Sequence, residues 1–288
     1  MKIFSAIDNA ETVKMFYEKT NIKLNYLISY FYLDGQAYKV TKGYRNMIDT
    51  LYLDSGAYSA ETRNVVIPKS EYRKYLKVYG SHFDEYFNLD DNFEDWEHNR
   101  ENQGFIENEL PSVAKKPIPV VHDNSNPFGE FSMYAKEGYQ FIAFGSTTTI
   151  PDEVFERIKS EYPRIRIHMF GRLDLDELKK HKPYSADSAT WAHAAKHGNI
   201  LYWDREEEIK YIIYAGSRDR SDTVPHFKTF EHREKVEEFL HETFGYEYSD
   251  LLKKGGPEKR MIVNLYFYNE IQVYLTALEK QEKKSSKK

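Results

Sequence analysis

Six short clusters carry side chains that can do chemistry: Asp54-Ser55-Gly56, Asp90-Asp91-Asn92, His122-Asp123-Asn124, Phe144-Gly145-Ser146, Met169-Phe170-Gly171-Arg172 and Asp187-Ser188. Four of the six bear a carboxylate, and the other two bear a glycine. Carboxylates serve acid–base and nucleophilic steps. Glycine lets a planar ligand approach the backbone closely. Any one cluster is ordinary turn chemistry, since Asp, Asn, Ser and Gly end strands and cap helices everywhere. Four carboxylates at one place are different. They repel one another unless a cationic ligand, a metal or hydrogen bonds compensate.

Each cluster ends a short apolar run, and those runs alternate with amphipathic stretches. Strands are predicted at 2–7, 24–33, 50–54, 86–90, 117–123, 139–145, 164–171, 184–187 and 199–204. Helical patterns fall between them, including 9–20, 36–48, 70–83, 96–110, 130–138, 152–162, 175–181 and 190–198. Sustained βα alternation implies a parallel sheet covered by helices. Eight or nine such strands favour an α/β fold of the closed (β/α)8 TIM-barrel type, whose strand ends converge on one mouth. No G-x-G-x-x-G or G-K-[ST] follows a strand, which removes support for an open nucleotide-binding sheet. The expected division is a barrel over 1–204, a helical extension over 205–279 packed on it, and a disordered basic tail over 280–288. The apolar stretch 261–280 suits burial against the barrel or against a second copy in a homodimer.

The chain has 288 residues, of which 40% are hydrophobic and 30% charged, as in a soluble globular protein. No apolar run approaches the roughly 18–20 residues of a membrane span, and the start of the chain lacks a signal-peptide core. A cytoplasmic location is expected, in the host cell if the gene is phage-borne. A net charge of −5 argues against binding nucleic acid by bulk charge alone. The 41 Lys and Arg still allow a local basic groove. Without cysteine there is no disulfide and no thiolate metal site. His122, Asp123 and His168 offer N and O ligands, and His193 and His197 stand four apart, but no H-E-x-x-H spacing occurs. No metal is expected.

The ordered set "LDSGAYS", "NLDDN", "VVHDN", "AFGS", "HMFGR" and "SADSATW" resembles the tRNA-guanine transglycosylase superfamily, over about residues 24–204. It is most similar to the phage and bacterial DpdA-like DNA 7-deazaguanine transglycosylases. The resemblance implies a pentosyltransferase that exchanges guanine in DNA for a 7-deazaguanine base, with tRNA as the alternative substrate. It implies Asp187 as the nucleophile that holds the sugar covalently and Asp54 as the general acid/base. Asp90 would accept from the N1–H and amine edge of the base, and His122, Asp123 and Asn124 would read the other polar edge. Ser55 and Gly56 would complete the base pocket, with Gly145 and Ser146 giving backbone donors to the carbonyl oxygen. Met169 and Phe170 would form an apolar wall. Arg172 would hold the nucleic-acid backbone beside the flipped base.

The chain departs from that pattern in places. The family's structural zinc, on three cysteines and a histidine, is ruled out by composition, so no cofactor is expected. Ala57-Tyr58 stands where the tRNA enzymes prefer Gly-Phe. A three-residue shift in alignment would set Thr190 opposite the nucleophile in place of Asp187. Two other readings stay open: a non-catalytic base-binding subunit of a transglycosylase, and a nucleoside or glycoside hydrolase using Asp54 and Asp187 as acid and nucleophile.

Overall fold

The computed structural model describes residues 1–33, 39–111, 114–216 and 224–285. The chain divides into two compact units, one of residues 1–10 and 24–188, the other of residues 11–23 and 189–288.

The first unit holds eight strands: β1 (Lys2–Ile7), β2 (Leu24–Ser29), β3 (Ile48–Asp54), β4 (Glu85–Tyr86), β5 (Val120–Val121), β6 (Phe141–Phe144), β7 (Arg166–Met169) and β8 (Ser185–Ser188). They hydrogen-bond in the order β4-β3-β2-β1-β8-β7-β6-β5, and every pairing is parallel. Phe87 just after β4 bridges Ile118 just before β5. Ile118 N donates to Tyr86 O at 2.9 Å, and Asn88 N donates to Ile118 O at 2.9 Å. That bridge joins the two outer strands, and the sheet is the expected TIM-type barrel. Phe4, Leu27, Tyr52, Phe87, Ile118, Val120, Phe141 and Ala143 fill its interior. Because side chains alternate along a strand, these residues fix which neighbours point inward.

Helices follow the strands of this unit: α2 (Ala57–Thr62), α3 (Lys69–Tyr79), α4 (Trp96–Glu107), α5 (Pro127–Lys136), α6 (Asp152–Glu161) and α7 (Leu175–His181). Three of them start on side-chain caps. Asp95 accepts from His98 N, Asn126 from Gly129 N with Pro127 in the first turn, and Asp174 from Glu177 N.

The second unit contains α1 (Glu11–Thr20), α8 (Thr190–Lys196), β9 (Asn199–Asp204), β10 (Ile209–Tyr214), α9 (Arg233–Phe244) and α10 (Gly256–Ser285). Four sequence expectations change here and in the loops. The segment 199–204 is not a barrel strand; it pairs antiparallel with β10, so 205–279 is not wholly helical. The division falls after Ser188, and α1 belongs to the second unit. Residues 280–285 continue α10 and are not disordered, while 286–288 lie outside the described residues. The helix expected over 36–48 is a π turn at Lys39–Gly43 and a 3-10 turn at Arg45–Met47; its first residues, like 217–223 of the expected break at 217–227, lie outside the described residues. No helix among the described residues is long and apolar enough to cross a membrane.

The apolar face of α10 packs on β9 and α8 within its own unit. Asn264, fully buried, accepts from Leu201 N at 2.7 Å and donates to Trp191 O at 2.9 Å and Asn199 O at 3.2 Å. One side chain thus satisfies three backbone groups. Asn264→Ala is expected to lower stability by roughly 3 kcal/mol, since buried polar groups lose their partners. Urea denaturation checks this, and a change below about 1 kcal/mol would show that water replaces the amide.

Candidate active site

Asp54, Asp90 and Asp187 meet at the C-terminal mouth of the barrel. Asp54 is two residues past the interior Tyr52 and shares its face. Asp187 sits opposite the interior Phe4 in the β1–β8 register. The Asp90 and Asp187 carboxylates both act electrostatically on Asp54. Asp54 keeps part of its surface accessible, yet burial of its carboxyl and those two negative neighbours push its pKa up to about 8. Hydrogen bonds from Gly56 N, at 3.0 Å, and Ser55 N only partly offset this. Asp54 therefore carries a proton at neutral pH.

The "DSG" cluster has three separate duties. Asp54 accepts from the turn it begins. Ser55, with no exposed surface, donates from Oγ to Asp90 Oδ1 at 3.2 Å. Gly56 has φ of 83°, and a Cβ there would stand 2.3 Å from Ser29 Oγ and 2.5 Å from Phe31 Cβ. Only glycine fits. Ser55 and Gly56 thus build the turn and orient Asp90, where direct contact with a base was expected.

Asp90 is clamped from both sides. Its Oδ2 lies 2.6 Å from His122 Nε2. Burial works against a charged His122, but the hydrogen bond and charge of Asp90 and the charge of Glu130 outweigh it, and the pKa is raised. The loop carrying Asp90 is held by α4. Asn99 accepts from Asn92 N at 3.2 Å and donates to Asn92 O at 2.6 Å. Asn102 donates to Leu89 O at 3.2 Å and to Asp91 Oδ1 at 2.8 Å. Asp91 also pairs with His98, so it serves this clamp.

His122 needs the space beside it. A Cβ at Gly145 would lie 2.5 Å from its Cε1. The Gly145 N–H is already donated to Val121 O at 3.0 Å. Gly145 therefore makes room for His122 and does not offer the expected donor to a base; Ser146 next to it is exposed. Glu130 on α5, missed in the sequence, accepts at one oxygen from both His122 N and Asp123 N, each at 2.8 Å. Burial raises its pKa. Phe93, also missed, sits between the exposed Tyr58 (ring centroids 6.3 Å apart) and His122 (4.9 Å).

Asp187 is 5% exposed, and both of its hydrogen bonds fall on Oδ1, from His168 Nε2 at 3.2 Å and Gly171 N at 3.0 Å. His168 is fully buried among Phe4, Tyr52, Phe87 and Phe170, and its Nδ1 meets Ser185 Oγ at 2.9 Å. A Ser185 hydroxyl donating to Nδ1 leaves the hydrogen on Nε2, facing Asp187. Thr190, the competing candidate, is the exposed first residue of α8.

Several other expected roles change. Asp123 Oδ1 accepts from Ser125 Oγ at 2.6 Å, Ser125 N at 2.8 Å and Asn126 N at 3.0 Å. The Ser125 hydrogen bond, against some desolvation and with help from the backbone donors, lowers its pKa. It shapes the turn into α5. Asn124 Oδ1 accepts from Thr149 N at 2.7 Å and ties two loops together. Met169 is fully buried on the face opposite His168 and Phe170, toward the helices, so it is no wall for a base. Phe170, 4.5 Å from the Phe87 ring, does face the mouth from the barrel top. Arg172 pairs with Glu177 at 2.5 Å and donates to Thr148 O, which engages the guanidinium inside the fold. Among the described residues, no three His, Asp or Glu side chains gather to hold a metal ion.

No protein-family model matches the chain. No curated protein matches it either. Solved structures do match. A protein assigned as a fructose-1,6-biphosphate aldolase from Coccidioides immitis aligns at TM-score 0.50 and 11% identity, covering 68% of this chain and 77% of that one. Orotidine 5'-monophosphate decarboxylase from Methanocaldococcus jannaschii aligns at TM-score 0.41 and 12% identity, over 65% of this chain and 87% of that one. At 11% identity the aldolase likeness is one of fold, the TIM barrel.

The Asp54 environment makes a stability prediction with a definite sign. A carboxyl whose folded pKa is raised takes up a proton on folding between the usual carboxylate range and about pH 8. Its contribution therefore weakens the fold as pH rises through that window. Asp54→Asn should raise Tm clearly at pH 8 and much less near pH 4. Thermal scans at both pH values check this; equal shifts would mean the carboxyl is well solvated.

Proposed function

We propose that this chain is a base-exchange glycosyltransferase that replaces guanine in DNA with a 7-deazaguanine base. The observation that carries the reading is the division of labour among the three carboxylates at one mouth. Asp54 holds a proton at neutral pH. Asp187 has Oδ1 engaged by two donors, which leaves Oδ2 for a ligand. Asp90 is fixed by Ser55 and His122. An acid and an oriented carboxylate are what rupture of an N-glycosidic bond requires, since the departing base needs a proton and C1′ develops oxocarbenium character. The TIM barrel supports the reading in a general way, because enzymes on this fold place catalytic groups at this mouth.

In the first step Asp187 Oδ2 attacks C1′, the C1′–N bond breaks, and Asp54 gives its proton to the leaving guanine. In the second, the incoming 7-deazaguanine loses its ring N–H proton to Asp54 and attacks C1′, and the Asp187 ester breaks. Protons and bonds balance, and no water is consumed. Asp90 accepts from the donor edge of either base. The aromatic pair Tyr58 and Phe93 stacks the planar group beside His122.

The test incubates the protein with duplex DNA, tRNA and a labelled 7-deazaguanine, followed by digestion to nucleosides. Label is expected in DNA, abolished by Asp187→Ala. Label in tRNA alone would reassign the substrate, and release of guanine without label would make the protein a hydrolase. On the acid–base assignment, kcat/KM is expected to fall above about pH 8, as Asp54 loses its proton. A profile flat through that region would remove Asp54 from the acid role.

A further inference from the structure

The arginine expected to hold a nucleic-acid backbone, Arg172, is committed to Glu177 and a backbone carbonyl. Other arginines of this unit are committed as well. Arg45 pairs with Asp84, Arg73 with Glu109 and Arg166 with Glu85. Arg63 is different. It is exposed and makes no ion pair with any described residue. Its guanidinium lies over two rings instead, 5.5 Å from the Phe31 centroid and 5.0 Å from that of Tyr32. Those rings meet edge to face, 5.2 Å apart at 83°.

This arrangement adjoins the mouth. Phe31 follows β2, and its Cβ packs so tightly on Gly56 that a methyl group there would overlap it at 2.5 Å. Gly56 N is hydrogen-bonded to Asp54. Arg63 itself ends the short helix α2 that the Asp54 turn begins. Three contacts thus lead from the acid to an arginine that keeps its charge available. Rings stacked on a guanidinium hold its plane while leaving its N–H edges open. Those edges match two phosphate oxygens in a bidentate pair.

We propose that Arg63, held on Phe31 and Tyr32, receives a phosphodiester of the substrate strand next to the nucleotide whose base enters the mouth. The inference rests on the base-exchange reading and narrows its substrate to a polynucleotide with an intact backbone. Asp90 and Asp187 bring negative charge to the mouth, so an anionic strand is helped by a compensating cation near it. Arg63 fills that role without neutralising the acid.

Binding of a fluorescein-labelled, guanine-containing single-stranded deoxyoligonucleotide tests this, followed by anisotropy across a salt series. Wild type, Arg63→Gln and Arg63→Lys would be compared, with binding of free 7-deazaguanine as the control. Each phosphate contact contributes about 0.7 to the slope of log K against log salt for a single strand. Arg63→Gln should reduce the slope by about that amount and weaken binding about tenfold at low salt. Arg63→Lys should restore the slope, and free-base affinity should be equal in all three. A slope unchanged in Arg63→Gln would overturn the proposal. So would a loss of slope in both variants accompanied by weaker free-base binding, which would mark Arg63 as a support for the turn. Oligonucleotide binding that depends on Arg63 without base exchange would uphold the phosphate site and remove the transglycosylase reading. A wild type that binds the free base but no oligonucleotide would overturn the phosphate site alone and point to a free nucleoside as substrate.

Discussion

Like charge gathered at one end of a barrel is the constraint on which the rest of this structure depends. Asp54, Asp90 and Asp187 cannot all be ionised and desolvated together without strong repulsion. The fold treats each one differently. Asp54 keeps its proton. Asp90 is matched to His122, whose positive form it stabilises. Asp187 is held at one oxygen by an imidazole and a backbone N–H. Three chemically identical side chains thereby acquire three characters, and the differences come from their surroundings.

Much of the remaining polar structure serves that separation. Two His–Asp pairs flank Asp54, and each histidine has its own support. Ser185 fixes His168 from below, while Glu130 holds the backbone of His122 and Gly145 leaves space for its ring. Of the four buried residues of α4, three are amides where a helix would ordinarily be apolar: Asn99 and Asn102 hold the loop carrying Asp90, and Gln103 donates to Pro117 O. Buried amides are tolerable when their donors are matched to fixed carbonyls, and here they are. Catalytic geometry of this kind needs such support, since small displacements of acid or nucleophile are costly.

The barrel was legible because its signal is periodic. Short apolar runs alternating with amphipathic ones have few solutions other than a covered parallel sheet, and eight strands close. Errors came where local pattern had two readings. The run 199–204 has the apolar character of a barrel strand, yet it pairs antiparallel with β10, because hydrophobicity does not specify a partner. Residues 280–285 are charged and low in complexity but continue a helix already formed. Within the site, the carboxylates stood out as strand-end chemistry. His168 did not, since a lone histidine inside an apolar strand looks like core until its neighbours are known.

The sequence by itself determined the fold class, the strand ends that form the mouth, and the clustering of carboxylates there. These follow from periodicity and residue type, which are local properties of the chain. Only the tertiary structure decided which polar groups face the mouth and which are consumed in holding it. Asn124, Gly145 and Arg172 carry suggestive side chains or positions, but their hydrogen-bonding capacity or space is spent on neighbours distant in sequence, while Asp123 is spent on the turn that follows it. Arg63 carries no motif, and His168 opens one that says nothing of its partner; both take their roles from contacts with residues remote in sequence. Whether a polar group is available is settled by long-range packing, and long-range packing has no short-range signature.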